Sequence, residues 1–266
     1  TGADADLLAI KDNRVAQFDD PSAPTNAIIM QFKKPVDAKR AKLVLSIKNT
    51  FWLDQLYGKM LEGIGTYYGE FVKQQSGKPA ATLNKWTSEQ QIPLNISLKQ
   101  SGSWQTISEL PPGGPLLSRD VVVPVDLSPI DSDVVDIRLS TGFMFWEVDC
   151  AVIDYSDDGG LMIVNQKPVV AVDEEGNDVT QRLSQADDIC LDQPSPGNVT
   201  TVTFEYRQPP AGEIQTYILH SKGHYETLRN FSGKPDLAFL KQFKQPGALS
   251  KFSIEMYQKQ RSTVNK

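Results

Sequence analysis

The sequence predicts a mainly β fold: a sandwich carrying one long amphipathic helix, then a smaller β region ending in short helices. Three observations carry that prediction. Short apolar runs of two-residue period recur along most of the chain, separated by clusters of Gly, Pro, Asp and Ser. A single segment, from Leu53, sustains apolar residues at three-four spacing. Towards the C-terminus the pattern changes to short helical stretches that begin after Pro235 and Pro246.

In chain order, "TGADADLLAIKDNRVAQFDDPSAPTNAIIMQFKKP" has the punctuation of short strands and turns. "KRAKLVLSIKNT" reads as one strand with Leu43, Leu45 and Ile47 on one face and Val44, Ser46 and Lys48 on the other. The period then changes at Asn49 and Thr50, either of which suits an N-cap. Leu56, Tyr57, Met60, Leu61, Ile64, Tyr67, Tyr68, Phe71 and Val72 continue the apolar stripe, predicting a helix over 53–75. Gly58, Gly65 and Gly69 lie beside that stripe, where missing side chains let another backbone approach. A short helical stretch follows around Leu83 to Gln90. "IPLNISLKQSGSWQTISEL" then predicts two strands around a turn at Gln100 to Ser103. "RDVVVPVDLS" adds a strand, and "DVVDIRLSTGFMFWEVDCAVIDYS" predicts a hairpin turning near Ser140 to Gly142.

"SDDGG", Ser156 to Gly160, is short, polar and glycine-ended, and divides the chain into 1–157, the sandwich with its inserted helix, and 158–266, the smaller β region with C-terminal helices. In the second part, "KPVVAVDEEGNDVTQRL" predicts a strand, an acidic turn and a helical turn begun by Asp178 or Thr180. "NVTTVTFEYRQPPAGEIQTYILHSKGHYETL" predicts two strands joined by a Pro/Gly loop.

A net charge of -6 and a pI near 5.1 set a field that repels phosphate backbones and anionic lipid, so nucleic acid is not an expected partner. No run approaches the roughly 20 apolar residues of a membrane span, and no signal-peptide hydrophobic region opens the sequence. The two cysteines, Cys150 and Cys190, are too few for a disulfide scaffold and wrongly spaced for a zinc site.

The strand "TGFMFWEVDCAVIDY" places Glu147 and Asp149 on one face, about 6.5 to 7 Å apart at the backbone, within the range used by carboxylate pairs in glycoside hydrolysis. The same residues also read as structural charges paired with Arg138, Lys59 or Arg119, and parallel projection from one strand suits the structural role better. His220 and His224 stand four apart, about 13 Å in an extended chain and too far to share one ion. "DEEGNDVT" lacks the closing glutamate of a calcium loop; Asp173 and Asp178 are its candidate ligands for an irregular calcium site, against the reading of a solvated hairpin turn. "LPPGGP" is a Pro/Gly loop and not a phosphate cradle, and no cofactor motif is present. Among the tryptophans, Trp104 beside "SGSWQ" and Trp86 in "NKWTSEQ" sit in polar surroundings, as a sugar-stacking platform requires.

"SLKQSGSWQTISEL" followed by "VVDIRLSTGFMFWEVDCAVIDYS" resembles the ending of a galactose-binding-type jelly roll. With "DEEGNDVT" and "ILHSKGHYE", the chain is also similar to poorly characterised extracytoplasmic β-rich proteins of Bacteroidota-like bacteria, over about Lys42 to Tyr225. The resemblance implies a jelly-roll-like first part and a secreted or surface-anchored protein, with a lipid anchor as an option in the precursor. It carries no catalytic residues and no ligand. The expected function is a non-catalytic binding or structural module that recognises carbohydrate or another surface protein. The alternatives are a glycoside-processing enzyme using Glu147 and Asp149 or Asp154, and a scaffolding segment of a larger surface protein.

Overall fold

A computed structural model describes residues 8–157, 159–160, 162–187, 189–223 and 229–264. The chain divides into two compact units, Thr1–Asp157 with Arg229–Lys266, and Asp158–Leu228. The cut after Asp157 falls inside the polar Ser156 to Gly160 stretch. Arg229–Lys266, which the sequence reading groups with the second region, belongs to the first unit.

The first unit is a β-sandwich. Its strands are β1 (Ala16–Gln17), β2 (Thr25–Lys33), β3 (Arg40–Asn49), β4 (Leu94–Gln100), β5 (Ser103–Leu110), β6 (Arg119–Asp126), β7 (Val134–Gly142) and β8 (Trp146–Asp154). They form two antiparallel four-stranded sheets, ordered β1-β8-β3-β6 and β2-β7-β4-β5. Alternation decides which side chains meet. Leu43, Leu45 and Ile47 from the first sheet and Leu94, Ile96, Leu98, Val135, Ile137 and Leu139 from the second are all 0% exposed and share one core. Phe145, Trp146 and Val148 complete it, and the Trp146 Nε1–H donates to the Ile92 carbonyl at 2.8 Å.

Within the sandwich, only β4 and β5 follow each other in one sheet; every other consecutive pair changes sheet. Their turn is the predicted one, with Ser101 at φ 47° and Gly102 at φ 81°, the two left-handed residues of a tight hairpin. The hairpin expected near Ser140 to Gly142 does not form, because β7 and β8 lie in opposite sheets. The chain crosses between them through Phe143 and Phe145, both 0% exposed, with Met144 at φ 60°. The Phe143 N–H donates to Ser250 Oγ at 2.8 Å and the Met144 N–H to the Phe18 carbonyl at 2.6 Å.

The helix predicted over 53–75 is interrupted. Thr50 caps α1 (Phe51–Glu62), its Oγ1 accepting the Leu53 N–H at 3.1 Å, and Leu53, Leu56 and Met60 are buried in the core. A 3₁₀ turn, Gly65–Tyr67, separates it from α2 (Tyr68–Ser76). The break has a local cause: Gly65 adopts φ +58°, which ends a right-handed helix, and a Cβ there would overlap the Gly233 carbonyl oxygen. That carbonyl accepts the Thr66 N–H at 2.9 Å. The glycine stripe thus marks a close backbone approach at Gly65, whereas Gly58 and Gly69 face open space.

Helix α3 (Ala80–Glu89) leads back to β4. The C-terminal helices are α5 (Leu237–Gln242) and α6 (Ala248–Val264), α4 being Thr180–Leu183 of the second unit; at 17 residues α6 is the longest helix among the described residues rather than a short one. Gln90, 0% exposed, ties them to the sandwich: its Oε1 accepts the Leu249 N–H at 2.9 Å and its Nε2 donates to the Gln245 carbonyl at 2.9 Å.

The second unit holds β9 (Val170–Asp173), α4 (Thr180–Leu183) and β10 (Thr200–Thr203), with β9 and β10 antiparallel. The predicted partner strand beyond Pro210 is not formed among the described residues. Ile214, Tyr217, Ile218 and Leu219 are exposed and have no ladder bonds to hold them extended.

Candidate functional site

The two carboxylates of β8 have different surroundings. Ile47 pairs with Val148 and Ser46 pairs with Cys150, so Asp149 is the extra residue of a β-bulge and has no partner on β3. The bulge shifts the alternation by one: Val148 points inward before it, Ala151 after it. Glu147 lies on the outward face, with Lys48 Nζ at 3.2 Å and the Gln17 amide donating to it at 2.9 Å. Asp149 is 1% exposed and its Oδ1 accepts the backbone N–H groups of Asn13 at 2.8 Å and Asp12 at 3.2 Å. Its work is to close the sheet where β1 stops at two residues and a neighbouring strand no longer supplies acceptors. Glycosidic cleavage needs two carboxyl groups flanking one accessible bond, and Asp149 is buried against the Asp12 and Asn13 backbone.

Neither Lys59 nor Arg119 serves these carboxylates. Lys59 pairs with Glu62 at 2.7 Å, and Arg119 donates to the Pro111 carbonyl. Cys150, next to the bulge, has its thiol pushed up by burial and then by the charges of Asp149 and Asp120, the opposite of an activated nucleophile. Cys150 and Cys190 are both free thiols.

The two tryptophans part company. Trp86 packs against the core, and its Nε1–H donates to the Phe243 carbonyl at 2.9 Å, so it anchors the C-terminal helices and offers no platform. Trp104 lies outside the core cluster, half-buried on the outer face of the second sheet. That face follows from alternation: with Leu98, Ile137 and Ile28 turned inward, Lys99, Asp136, Arg138, Gln31 and Ile29 turn outward.

Across it runs one row of side chains spanning all four strands. The Gln31 amide donates to Asp136 Oδ1 at 2.7 Å, Lys99 Nζ donates to Asp136 Oδ2 at 3.1 Å, and Lys99 is registered opposite Trp104, its Nζ 5.9 Å from the ring centre. In the adjacent row Arg138 stacks on the same indole with its guanidinium carbon 4.8 Å from the centroid. Beside it, Ser97 Oγ and Thr106 Oγ1 are hydrogen-bonded at 3.4 Å. The outcome is an indole held by two cations on a flat, polar sheet surface. Sequence reasoning found Trp104 but treated Arg138 as a partner for the β8 carboxylates; the alternation Val135, Ile137, Leu139 is the signal that places Arg138 and Asp136 together outward.

In the second unit the acidic stretch forms a turn. Asp173 Oδ1 accepts the N–H groups of Glu175 at 3.0 Å and Asn177 at 2.8 Å, and Asp178 Oδ1 accepts the Thr180 N–H at 2.9 Å. The Asn177 side-chain amide, donating to Asp173 at 3.0 Å, and then the backbone bonds hold the Asp173 carboxyl below the usual range, and the Thr180 hydroxyl followed by its N–H does the same for Asp178. Asp178 also borders an open depression of about 530 Å³ with Thr180, Gln181, Ser184 and Gln185. His220 is exposed, and His224 lies outside the described residues. The "LPPGGP" loop is held by Asn49, whose Oδ1 accepts the N–H groups of Gly113 at 3.1 Å and Gly114 at 2.7 Å.

No protein family matches the chain, and no curated protein is significantly similar to it.

Proposed function

We propose that this chain is a non-catalytic, extracytoplasmic binding module of jelly-roll type that holds carbohydrate on the outer face of the second sheet. The strand order β1-β8-β3-β6 against β2-β7-β4-β5, with all but one consecutive pair changing sheet, supports the jelly-roll reading. The observation that carries the function is Trp104: a large aromatic surface left out of the core and set among Lys99, Arg138, Ser97 and Thr106. Sugar rings are bound by apolar stacking together with directional hydrogen bonds, and this face offers both. The resemblance to extracytoplasmic β-rich proteins of Bacteroidota-like bacteria supports a location outside the cell and carries no ligand of its own.

Affinity electrophoresis of the protein through gels containing a panel of plant, algal and bacterial polysaccharides tests this. At least one polysaccharide is expected to retard the wild type, and Trp104→Ala to abolish the retardation. Retardation unchanged in the variant would remove the site, and release of reducing sugar would overturn the non-catalytic assignment.

A second reading, contact with another surface protein, draws on the second unit. There Ile163, Ile214 and Ile218 are 82%, 98% and 88% exposed, apolar side chains that a protein partner could cover.

A further inference from the structure

Charge accounting on the outer face of the second sheet singles out Arg138. Asp136, two positions away on β7, is the acidic group nearest in register, and both its oxygens are engaged, by Gln31 and Lys99. Glu109, one row further along, accepts from Ser88 Oγ at 3.0 Å. Among the described residues the Arg138 guanidinium therefore has neither an ion pair nor a hydrogen bond, and it lies over the Trp104 ring. Its Nε is buried without a partner, while the side chain as a whole is partly exposed at its terminal nitrogens.

A guanidinium stacked on an indole is fixed in plane and rotamer, and its free edge presents parallel N–H donors at the spacing of a carboxylate. A structural arginine would ordinarily spend those donors on protein oxygens. Resting on the carbohydrate reading above, we infer that the ligand of this face is an acidic saccharide, a uronic-acid-containing glycan. The Arg138 Nη pair grips its carboxylate while Trp104 packs against the adjoining ring surface. Lys99, neutralised by Asp136, positions the indole and adds little net charge. Arg138 thus selects for charge and Trp104 for a saccharide ring.

The experiment uses the full chain with polygalacturonate and with the same polymer after reduction of its carboxyl groups to alcohols, measured by titration calorimetry. Wild type is expected to bind the acidic polymer at least about tenfold more tightly than the neutral one, since charge-assisted bidentate bonds are roughly twice as strong as neutral ones. Arg138→Gln is expected to bring that ratio close to one without weakening binding of the neutral polymer, and Arg138→Lys, which keeps the charge but not the fork, to fall between. Thermal melts of both variants establish that they fold. Equal wild-type affinity for the two polymers, or an unchanged ratio in Arg138→Gln, overturns the inference and leaves the carbohydrate reading standing. Retention by neutral polysaccharides alone has the same meaning. Binding to no polysaccharide overturns both.

Discussion

Asp149 and Asn13, 136 positions apart, are joined by a 2.8 Å hydrogen bond from the Asn13 backbone N–H to the Asp149 carboxylate, at the single bulged position of β8 against β3. The Asp12–Asn13 backbone that runs alongside makes this side chain a buried acceptor. Asp149→Ala leaves the amides of Asp12 and Asn13 without that acceptor and is expected to lower stability by about 2–4 kcal/mol. Asp149→Asn retains an acceptor oxygen and is expected to lose no more than about 1.5 kcal/mol. Urea unfolding measures both, and amide exchange at Asn13 should accelerate in the alanine variant. Equal stability of the three proteins would exclude the capping role, while polysaccharide binding should be unaffected in either.

The same bulge shows where sequence reading reaches its limit. Period-two patterns found the strands, and the faces of Leu43, Leu45 and Ile47 were legible, since each residue alternates with a polar or less buried neighbour. An extra residue leaves no mark in such a pattern, so the bulge at Asp149 and the chain that covers it were not legible. The sheet change at Phe143 was equally hidden, because a turn signal does not state whether the next strand pairs with the last or crosses the core. Trp104 was legible from its polar surroundings. Arg138 was not, because its significance lies in what fails to pair with it in three dimensions.

Gly65 and Gly58 should respond oppositely to alanine. At Gly65 a side chain meets both a φ of +58° and the Gly233 carbonyl, so Gly65→Ala is expected to cost about 2–4 kcal/mol and to loosen the docking of Phe231 on Tyr68, now 5.1 Å between ring centres. Gly58 sits inside α1 with open space around it, so Gly58→Ala is expected to stabilise by about 0.5–1 kcal/mol through higher helix propensity. Denaturant midpoints decide the matter; a shift in the same direction for both would contradict the assigned role of Gly65.

Tyr57 makes stability depend on alkaline pH. Burial, with a smaller effect of Asp54, pushes its hydroxyl from 10.0 up to about 12. The folded protein then prefers the neutral phenol, so the contribution is intact below pH 10 and is lost as pH rises from 10 to 12. The slope is at most about 1.4 kcal/mol per pH unit, because the unfolded chain releases the proton first. Tyr57→Phe removes this titration. Unfolding free energies measured at intervals from pH 9 to 12 should fall more steeply for wild type than for the variant; parallel curves would mean that the hydroxyl is not shielded.

The contrast between the two tryptophans reaches beyond ligand binding to what each contributes to the fold. Trp86 fills space between α3 and the C-terminal helices and spends its indole N–H on the Phe243 carbonyl, so Trp86→Ala opens a cavity and leaves that carbonyl with the Gln90 amide at 3.2 Å as its side-chain donor. A loss of about 3–5 kcal/mol is expected, with Phe239, Phe243 and Phe252 loosened together because their rings pack edge to face at 5.2–5.6 Å. Trp104 touches the outer surface alone, and its main partners are two cations, so Trp104→Ala is expected to cost about 1 kcal/mol or less. Thermal and urea unfolding of the two variants under identical conditions give the comparison. A comparable loss in both would make Trp104 a packing residue and deprive the sheet face of its reason to carry an aromatic ring; a small loss at Trp104 together with loss of glycan binding separates recognition from stability at that residue.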